Sequence, residues 1–548
     1  MARTPLMRML RNLVSEHHAA LQQGVSVETI RQQTGMQRRD FLKLSAVATA
    51  AAIIPFGKPL LAGSRQPKIA IIGAGIAGLN AALTLQDAGI ASILYESDDH
   101  IGGRIQSITT AWQNGQVSEW CGEFIDSGHT TLQALAQRFG LELDDLLAAE
   151  PKNATETYYF GGKYYPAKQA NADFQALVQI LQDQNTAASY PTVYNSSTPT
   201  GEYLDSISVY DWIEKYVPGG HSSKLGQLLD GAYDIEYGAS TKLQSSLNIV
   251  YLLPGPTNDL NLFGYSDEQY HIRGGNQQVI TAIANALPAN AINVSHKLTA
   301  ISKLSNGKIQ LTFSVTDATG SVSTKQANFD SVILTLPFST LRKVDYSKAG
   351  FDHLKQTAIT QLGYGTNAKV MLQFNERVWL DKGKWGHSNG TSYSDTGYQT
   401  AWDITRAQPG ETGILVNYLG SKGLTITPDQ GDEAFSTTSP AVRKYAAQFL
   451  KQIEPVFPGL SDEYTGLAAL HSPKDDPNLL GSYSYWKVGQ YTTFSGYEGV
   501  RQGNIHFAGE HCSTNFQGFM EGGAQEGERV AGEILADIQA GAFGKSDS

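Results

Sequence analysis

The chain has 548 residues, and its 41% hydrophobic content supplies enough apolar side chains for sizeable cores, which excludes a globally disordered protein. Its formal net charge of −11 argues against nucleic-acid binding, for which a basic surface is typical. The two cysteines, Cys121 and Cys512, are too few for a disulfide framework or a four-thiolate zinc site. At ~150 residues per domain, the length allows roughly three to four units.

The first element predicted along the chain is an export signal within residues 1–62. Paired arginines, Arg38 and Arg39, precede an apolar run at 44–56, and small residues follow at 62–63. This order resembles a twin-arginine signal and predicts an exported protein, periplasmic or extracellular. The run is too short to span a bilayer core of ~30 Å, and no other segment is long enough, so no membrane span is expected. A buried helix is the alternative.

The elements that follow alternate between strands and helices. Apolar runs at 68–72 and 92–96 predict strands on either side of a helix that extends to Gly89, which together form a βαβ unit. Apolar spacings of three and four predict further helices at 130–148, 172–185, 208–216, 222–232, 278–287, 440–454 and 518–537. Alternation and apolar runs predict strands at 308–314, 331–336, 367–374, 413–419 and 504–508. A polar stretch at 186–207 predicts a surface loop, and a frayed tail is expected at 538–548.

A glycine-rich turn joins the first strand to the first helix. Gly73 permits the tight turn, Gly75 permits a close backbone approach to a pyrophosphate, and Gly78 permits close packing of the helix on the strand. Glu96 ends the second strand, where a carboxylate accepts hydrogen bonds from ribose hydroxyls and disfavours a 2′-phosphate. The pattern predicts a dinucleotide site; an ordinary glycine-rich turn is the alternative.

A second glycine pair indicates which dinucleotide binds. Gly102, Gly103 and Arg104 follow shortly after Glu96, and this segment resembles the flavin amine oxidase family, whose fold binds FAD. The resemblance implies that Arg104 contacts the pyrophosphate or the flavin edge. His100 stands where the family commonly has arginine, which predicts a weaker positive charge there.

The resemblance extends to the C-terminal part of the chain. Gly509 and Glu510 end the last predicted strand, and 517–523, which includes Met520, opens the closing helix. In the family this helix points its N-terminus at the flavin pyrimidine ring, where its dipole stabilises negative charge. The resemblance implies that Glu510 binds the ribityl chain; a solvated carboxylate at a strand end is the alternative.

Two further matches lie in the middle of the chain. Residues 273–276 resemble a family motif that precedes a helix, and Leu298 stands where a backbone contact to the adenine is expected. The implied architecture is a mixed α/β fold, in which a Rossmann-like FAD fold of two dinucleotide-binding domains is interleaved with a substrate domain of mixed sheet and helices. The predicted bounds are 1–62 for the leader, 67–150, 241–337 and 486–537 for the FAD-binding parts, 151–240 for a mainly helical insertion, 338–485 for the substrate sheet and helices, and 538–548 for the tail.

The resemblance also implies residues on the substrate side of the flavin. Tyr491 and Phe519 match two positions whose rings flank the substrate amine, although two core aromatics are the alternative. Gln490 stands where some relatives have a flavin-linked cysteine, so we expect non-covalent FAD. Lys369 matches a lysine near flavin N5, which in the family holds a water and assists the reaction with O2.

The implied activity is oxidation of an amine to an imine, with O2 reduced to H2O2 and the imine hydrolysed to a carbonyl and ammonia or a smaller amine. Glu123 and His129 lie where the family lines the active-site side of the flavin, and either could orient the substrate or be merely structural. No metal site is expected, and the sequence leaves a homodimer open.

The substrate class has two readings. Many L-amino acid oxidases of this superfamily pair the substrate carboxylate with an arginine, but Ile125 stands at that position here, which favours an amine. Arg342, Arg377 and Arg406 are unassigned, so an L-amino acid oxidase stays as the alternative. More remote alternatives are a flavin desaturase or isomerase of an apolar substrate and a non-catalytic FAD-fold interaction protein.

Overall fold

The structure is a computed structural model that describes residues 66–421 and 434–543. The predicted leader over 1–62, with its paired arginines, lies outside the described residues. Across the described part of the chain, no helix is long and apolar enough to cross a membrane.

A five-stranded parallel sheet forms one half of the fold. The strand Ile69–Ile72 lies at its centre and is buried at every position, as expected when both faces of a parallel sheet are covered. Ile69 pairs with Ser331 on one side and with Ser92 on the other. The strand order is Ile505–Phe507, Ser331–Leu334, Ile69–Ile72, Ser92–Tyr95 and Ile292–Asn293. Three distant stretches of the chain therefore assemble one sheet.

Helices cover this parallel sheet. The helix Ile76–Asp87 follows the central strand, and the long helix Met520–Gln539 packs along it. The other α-helices in the described ranges are Thr130–Arg138, Ala167–Ala188, Pro199–Ser206, Val209–Tyr216, Lys224–Tyr237, Leu247–Leu252, Gln277–Ala286, Phe338–Leu341, His353–Gln361, Pro440–Ile453 and Gln490–Thr493. Short 3-10 helices are Gln113–Gly115, Gly220–Ser222, Val378–Leu380, Leu460–Glu463 and Glu510–Cys512.

A large mixed sheet of nine strands forms the other half. The strand Ala368–Phe374 lies inside it and is buried throughout, Lys369 included. The order is Phe435–Ser436, Tyr464–His471, Ala368–Phe374, Gly413–Leu419, Thr400–Asp403, Gly386–Ser394, Thr155–Phe160 and Lys163–Tyr164, with Lys382–Gly383 beside Gly386–Ser394.

Smaller sheets complete the fold. A four-stranded sheet has the order Val322–Phe329, Ile309–Thr316, His296–Lys303 and Asp345–Lys348. Three strand pairs join Ser107–Ile108 to Ser118–Glu119, Leu143–Asp145 to Tyr270–Ile272, and Gly363–Tyr364 to Ser484–Tyr485. The observed architecture confirms the predicted mixed α/β fold.

Two of the predicted elements are wrong in part. The helix predicted at 130–148 ends at Arg138, because Gly140 turns the chain with a φ of 67° and residues Leu143–Asp145 then form a strand. The loop predicted at 186–207 contains the helix Pro199–Ser206. Its start was readable in the sequence, since Thr198 caps it by accepting from the Gly201 N–H and proline takes the first helical position.

Candidate active site

One cavity of about 440 Å³ lies where the parallel sheet and the large sheet approach each other. At one end its walls are the glycine-rich turn and the ends of the strands Ile69–Ile72 and Ser92–Tyr95. At the other end its walls are side chains of the large sheet and of the helix Lys224–Tyr237. The cavity therefore extends from a nucleotide-type turn to a chamber lined by the large sheet.

The glycine-rich turn presents backbone to this cavity. Gly75 and Gly102 form an isolated parallel bridge, and a Cβ on Gly75 would lie 3.8 Å from the Gly102 carbonyl oxygen. A Cβ on Gly78 would instead lie 2.0 Å from the Gly73 carbonyl oxygen, so only glycine lets the helix begin this close to the strand. No side chain caps the helix Ile76–Asp87, and its first N–H groups are left for an anion.

Glu96 is held by the backbone of the same turn. Its carboxylate accepts hydrogen bonds from the Ala74 N–H at 2.8 Å and the Asp98 N–H at 3.0 Å. Glu96 and Leu298 both line the cavity, together with Gly73. This end of the cavity therefore contains the residues expected to hold a ribose, an adenine and a pyrophosphate.

His100 lies beside two carboxylates at the nucleotide end of the cavity. Its Nδ1 lies 3.2 Å from Asp98 Oδ1 and 3.1 Å from Asp99 Oδ1. The hydrogen bond to Asp98 outweighs partial burial and, with Asp99, raises the pKa of His100 to about 9. The two neighbouring carboxylates favour the protonated imidazole, and their own negative charges lie beside it. That His100 supplies a weaker positive charge than an arginine would stays a prediction.

Arg104 and Glu510 form an ion pair in the cavity wall. Arg104 Nη1 donates to Glu510 Oε1 at 2.9 Å and to the Ser482 carbonyl at 2.7 Å. Glu510 Oε2 accepts from Ser484 Oγ at 2.7 Å and from the Gly518 N–H at 2.9 Å. Burial opposes the Glu510 charge, but Arg104 and Ser484 outweigh it and hold the pKa of the carboxyl below its usual range.

A second uncapped helix opens on the cavity. Phe519 is the N-terminal flanking residue of the helix Met520–Gln539, and no side chain caps that helix. Gly509, Phe519 and Met520 line the cavity, as do Gly102 and Gly103. Two free helix N-termini, a glycine contact and a ribose-type carboxylate along one cavity fit FAD, whose pyrophosphate and reduced ring are both anionic.

Lys369 lies in the wall of the inner chamber. Its Nζ donates to the Cys121 carbonyl at 2.7 Å, to the Glu119 carbonyl at 3.2 Å and to Glu123 Oε2 at 2.7 Å. The other oxygen of Glu123 accepts from Trp402 Nε1 at 2.7 Å. Glu123 lines the cavity, but its carboxylate is already bound by two side chains of the large sheet.

The segment 273–276 supports this wall from behind. The Asn276 side-chain amide donates to the Glu123 carbonyl at 2.7 Å and to the Gly122 carbonyl at 3.2 Å. Glu119 Oε1 accepts from the Asn276 N–H at 2.8 Å. The segment from Glu119 to Glu123 is therefore fixed along its length.

The expected aromatic pair needs one correction. Phe519 lines the cavity, whereas Tyr491 is absent from the described lining; its ring packs on Tyr251 and Trp486, and its hydroxyl donates to Asn248 at 3.0 Å. Tyr483 takes the place proposed for Tyr491. Its ring lines the cavity and would lie 3.5 Å from a Cβ on Gly518, directly before Phe519.

The chain contains the triplet glycine–any residue–tyrosine at both 481–483 and 489–491, so the sequence pattern alone does not separate Tyr483 from Tyr491. Ser482, and not Gln490, then precedes the cavity tyrosine. Its hydroxyl donates to Asn367 Oδ1 at 2.6 Å. Gln490 binds the Gln361 carbonyl at 2.7 Å, outside the described lining.

Several other expected residues stand apart from the cavity. His129 is fully buried behind Phe519, with the two ring centroids 5.2 Å apart, and burial lowers its pKa to about 4. Ile125 pairs with Tyr270 in the core. Arg342, Arg377 and Arg406 donate to backbone carbonyls, and Arg406 also binds Glu150. None of these five side chains is among the described residues that line the cavity.

The sequence-based analysis missed an acidic wall in the chamber, formed by Glu156, Glu236 and Glu268. No described residue donates a hydrogen bond to the carboxyl of Glu236 or of Glu268. Burial raises the pKa of Glu236 to about 8. Burial also raises the pKa of Glu268 to about 8; Arg406 opposes this rise, and Asp126, Glu236 and Glu123 add to it. These residues lie far apart in the chain, and no local pattern links them.

The comparisons with known proteins agree with this geometry. The family model for flavin containing amine oxidoreductases matches residues 76–535, and a twin-arginine translocation signal matches residues 35–55. The signal indicates export and confirms the prediction of an exported protein made from the paired arginines.

Two related proteins align over most of their length. YobN of Bacillus subtilis (strain 168), whose name assigns it provisionally to the L-amino-acid oxidases, is 24% identical over 500 residues, which are 86% of this chain and 96% of YobN. Polyamine oxidase 7 of Oryza sativa subsp. japonica is 24% identical over 495 residues, which are 87% of this chain and 96% of the rice protein.

Solved structures show the same fold. Cyclohexylamine oxidase from Brevibacterium oxydans IH-35A superposes with a TM-score of 0.71 at 19% identity, covering 87% of this chain and 100% of that one. Putrescine oxidase bound to putrescine superposes with a TM-score of 0.68 at 18% identity, and the match covers 86% of this chain and 99% of the putrescine oxidase chain. Since the family model covers well over half of its residues, the chain belongs to the flavin containing amine oxidoreductase family.

Proposed function

We propose that the protein is an exported FAD-dependent oxidase that converts the C–N bond of an amine to an imine, with O2 reduced to H2O2 and water hydrolysing the imine to a carbonyl and ammonia or a smaller amine. We further propose that its preferred amine carries a second cationic group and no α-carboxylate. The observation that carries the proposal is the acidic wall opposite the flavin end of the cavity.

The acidic wall favours a cationic substrate for an electrostatic reason. Glu236 and Glu268 have no hydrogen-bond donor among the described residues, and burial makes each of them costly to ionise. A substrate ammonium would supply both the charge and the hydrogen bonds that they lack. The chamber is therefore complementary to an amine that places one positive group against these carboxyls.

The same chamber is poorly suited to an α-carboxylate. Arg104 is the one arginine among the described lining residues, and Glu510 already pairs with it. Lys369 is paired with Glu123. A substrate carboxylate in the chamber would face Glu156, Glu236 and Glu268, which would repel it wherever they are ionised. Arg406, the cation that acts on Glu268, is already paired with Glu150.

Each cavity residue then has a role in the proposed reaction. FAD, when bound, supplies the hydride acceptor for the carbon next to the substrate nitrogen. Glu96, Arg104 and Leu298 would hold its nucleotide part, and Glu510 fixes the segment before the helix Met520–Gln539 by accepting from the Gly518 N–H. Phe519 and Tyr483 flank the reacting amine and exclude water from it. We expect the FAD to be non-covalent, since Ser482 provides no thiol beside Tyr483.

A peroxide-coupled assay of the purified yellow protein tests the proposal. Three panels at matched concentration contain monoamines, linear diamines and polyamines, and L-amino acids. We expect the highest kcat/KM for a diamine or polyamine and lower values for monoamines of equal chain length. Acid precipitation of the same protein should release all of the flavin into the supernatant.

An L-amino acid oxidase is the second candidate, favoured by the similarity to YobN. Preferential turnover of L-amino acids would establish that activity and overturn the amine proposal. FAD bound without peroxide from any panel would support a desaturase, an isomerase or a non-catalytic protein instead.

A further inference from the structure

Residues 266–269, here named the acidic loop, place Glu268 in the chamber wall. The segment 125–127 runs beside this loop. Ile125 and Tyr270 exchange two backbone hydrogen bonds of 2.8 Å, and the Ser127 N–H donates to Asp267 Oδ1, also at 2.8 Å. Two stretches that lie 140 positions apart in the chain are therefore held side by side.

Asp126 is the residue of the segment 125–127 that binds Glu268 itself. Its Oδ1 accepts hydrogen bonds from the Glu268 N–H and from Ser266 Oγ, both at 3.0 Å. Its own N–H donates to His129 Nδ1 at 2.9 Å, and its Oδ2 lies 3.3 Å from His129 Nε2. Asp126 is only 4% exposed and is not among the described residues that line the cavity. It therefore contacts the acidic loop without forming part of the chamber wall.

The hydrogen bond from the Glu268 N–H coincides with an unusual backbone conformation. Glu268 has a φ of 49°, in the left-handed region that residues other than glycine rarely adopt. Such a conformation persists where neighbouring groups fix it. Because the backbone angles of a residue set the direction of its side chain, loss of this hydrogen bond would let Glu268 return to negative φ and would move its carboxyl. The contact with Asp126 thus determines where the Glu268 carboxyl lies.

The charged groups around Glu268 give Asp126 a second effect. Arg406 opposes the rise in the Glu268 pKa, and three acidic residues add to it, namely Asp126, Glu236 and Glu123. Arg406 is already paired with another carboxylate. Asp126 therefore makes ionisation of Glu268 harder while it holds that residue in place, and the ammonium of a substrate would supply the missing positive charge.

We propose that Asp126 is a positioning residue for substrate choice, because it holds Glu268 in the left-handed conformation that presents its carboxyl to the second cationic group of a diamine. The inference rests on the proposed function, in which Glu268 binds that group. Asp126 acts only through Glu268, so it should matter for an amine with two charges and not for an amine with one. It should also lose its effect once the Glu268 carboxyl has been removed.

Binding of two amines to the reduced holoenzyme tests the proposal. The FAD is reduced by light and EDTA under nitrogen, and because a reduced flavin accepts no hydride, amines then bind without turnover. Hexamethylenediamine and hexylamine have equal chain lengths and differ by one amino group. Calorimetric titration near pH 9, above the Glu268 pKa of about 8, gives the ratio of their Kd values, here named the diamine preference. We expect Asp126→Ala and Glu268→Gln each to lower this preference about fivefold or more, through weaker binding of the diamine.

A double variant shows whether Asp126 acts through Glu268. In a protein that already carries Glu268→Gln, Asp126→Ala should change the diamine preference by less than about twofold. Losses that multiply in the double variant would overturn the proposal. Ser266→Ala is the matched control, because it removes the other donor to Asp126 Oδ1 and leaves the Glu268 N–H in place. It should keep the preference, and a loss as large as that of Asp126→Ala would show general loosening of the acidic loop instead.

Asp126→Asn keeps an oxygen that accepts from the Glu268 N–H and should retain most of the diamine preference. It decides the matter should Asp126→Ala bind no FAD, since a loss as large as that of Glu268→Gln would contradict the proposed role. Equal Kd values of the two amines in wild type would overturn both this inference and the second cationic group of the proposed substrate. A preference in wild type that Asp126→Ala leaves intact would overturn this inference alone.

Discussion

Glu268 has a left-handed backbone conformation and a carboxyl group that lines the cavity. Its backbone is left-handed, with a φ of 49°, although it is not glycine. Its N–H donates to Asp126 Oδ1 at 3.0 Å, which fixes this conformation, while its side chain lines the cavity. Strained backbone that the surroundings hold in place is concentrated at binding sites, and Glu268 fits that pattern.

Replacing the Glu268 carboxyl should lower kcat/KM more for diamines than for monoamines. We expect Glu268→Gln to lower kcat/KM for the preferred diamine by about ten- to a hundredfold, because a charged hydrogen bond is replaced by a neutral one. A monoamine of the same length should lose less than about threefold. Steady-state peroxide assays near pH 9, where Glu268 is ionised, measure both values. Equal losses for the two substrates would contradict the assignment.

The same residue should make stability depend on pH. Its folded pKa is about 8 and its ordinary value is 4.5, so between these pH values the folded protein holds a proton that the unfolded chain releases. The unfolding free energy therefore falls as pH rises from about 4.5 to 8. We expect Glu268→Gln and Glu236→Gln each to be more stable than wild type at pH 8, by about 1–3 kcal/mol, and nearly equal to it at pH 4.5. Thermal unfolding without substrate at both pH values measures this. A difference that does not change with pH would contradict it.

The two tyrosines of the repeated triplet provide a paired test. We expect Tyr483→Leu to lower kcat/KM by about tenfold or more, because it removes a ring from the cavity. Tyr491→Leu should lower the unfolding free energy by about 2–4 kcal/mol through lost packing, with kcat/KM of the folded holoenzyme unchanged. Steady-state kinetics and thermal unfolding on both variants decide the matter, and the reverse pattern would restore Tyr491 as the cavity residue.

At the scale of elements, two glycines of one helix start have separable roles. Gly75 faces the cavity with room for a methyl group, whereas a Cβ on Gly78 would collide with the Gly73 carbonyl. A side chain at position 75 would therefore obstruct the bound ligand, whereas a side chain at position 78 would obstruct folding of the helix against the strand.

Alanine at each position should therefore give different defects. We expect Gly75→Ala to fold with nearly unchanged stability of the apoprotein and to bind FAD at least about tenfold more weakly. Gly78→Ala should lower the unfolding free energy of the apoprotein by about 2 kcal/mol or more. Quenching of FAD fluorescence and urea unfolding measure the two effects. A destabilised Gly75→Ala with normal FAD affinity would refute this division.

The elements that the sequence predicted best are those with a local cause. The strand–turn–helix at Gly73, Gly75 and Gly78 depends on neighbours in the chain, and its bounds lie within a few residues of the prediction. Lys369 pairs with Glu123, 246 positions away, and no periodicity reports such a contact. The acidic wall and Tyr483 were missed for the same reason, since only the assembled sheet shows which side chains share a chamber.

At the scale of the molecule, the cofactor cavity joins both halves of the fold. Its lining includes Glu96 and Glu510, which follow strands of the parallel sheet, and Lys369 and Trp402, which belong to the large sheet. A ligand that binds only the folded chain stabilises it, by about 2.7 kcal/mol at a hundredfold excess over Kd. FAD therefore should stabilise the two halves together rather than one of them.

Export gives a prediction for the whole chain. We expect replacement of Arg38 and Arg39 by lysine to retain the protein in the cytoplasm, because the match to a twin-arginine signal includes both residues. Fractionation of cells that express wild type or the double variant measures the distribution of yellow, FAD-containing protein. Equal export of both forms would show that another route is used.

The three acidic residues of the chamber come from three separate places in the chain: the strand Thr155–Phe160, the helix Lys224–Tyr237 and the segment before the strand Tyr270–Ile272. None of these is the glycine-rich turn or the helix Met520–Gln539, which we assign to the cofactor. Substitutions that change substrate binding therefore need not change cofactor binding. Related proteins with this fold could therefore differ at these three side chains, and so in the amine that they prefer, while keeping the same flavin chemistry. A laboratory library restricted to positions 156, 236 and 268 would sample that evolutionary freedom directly.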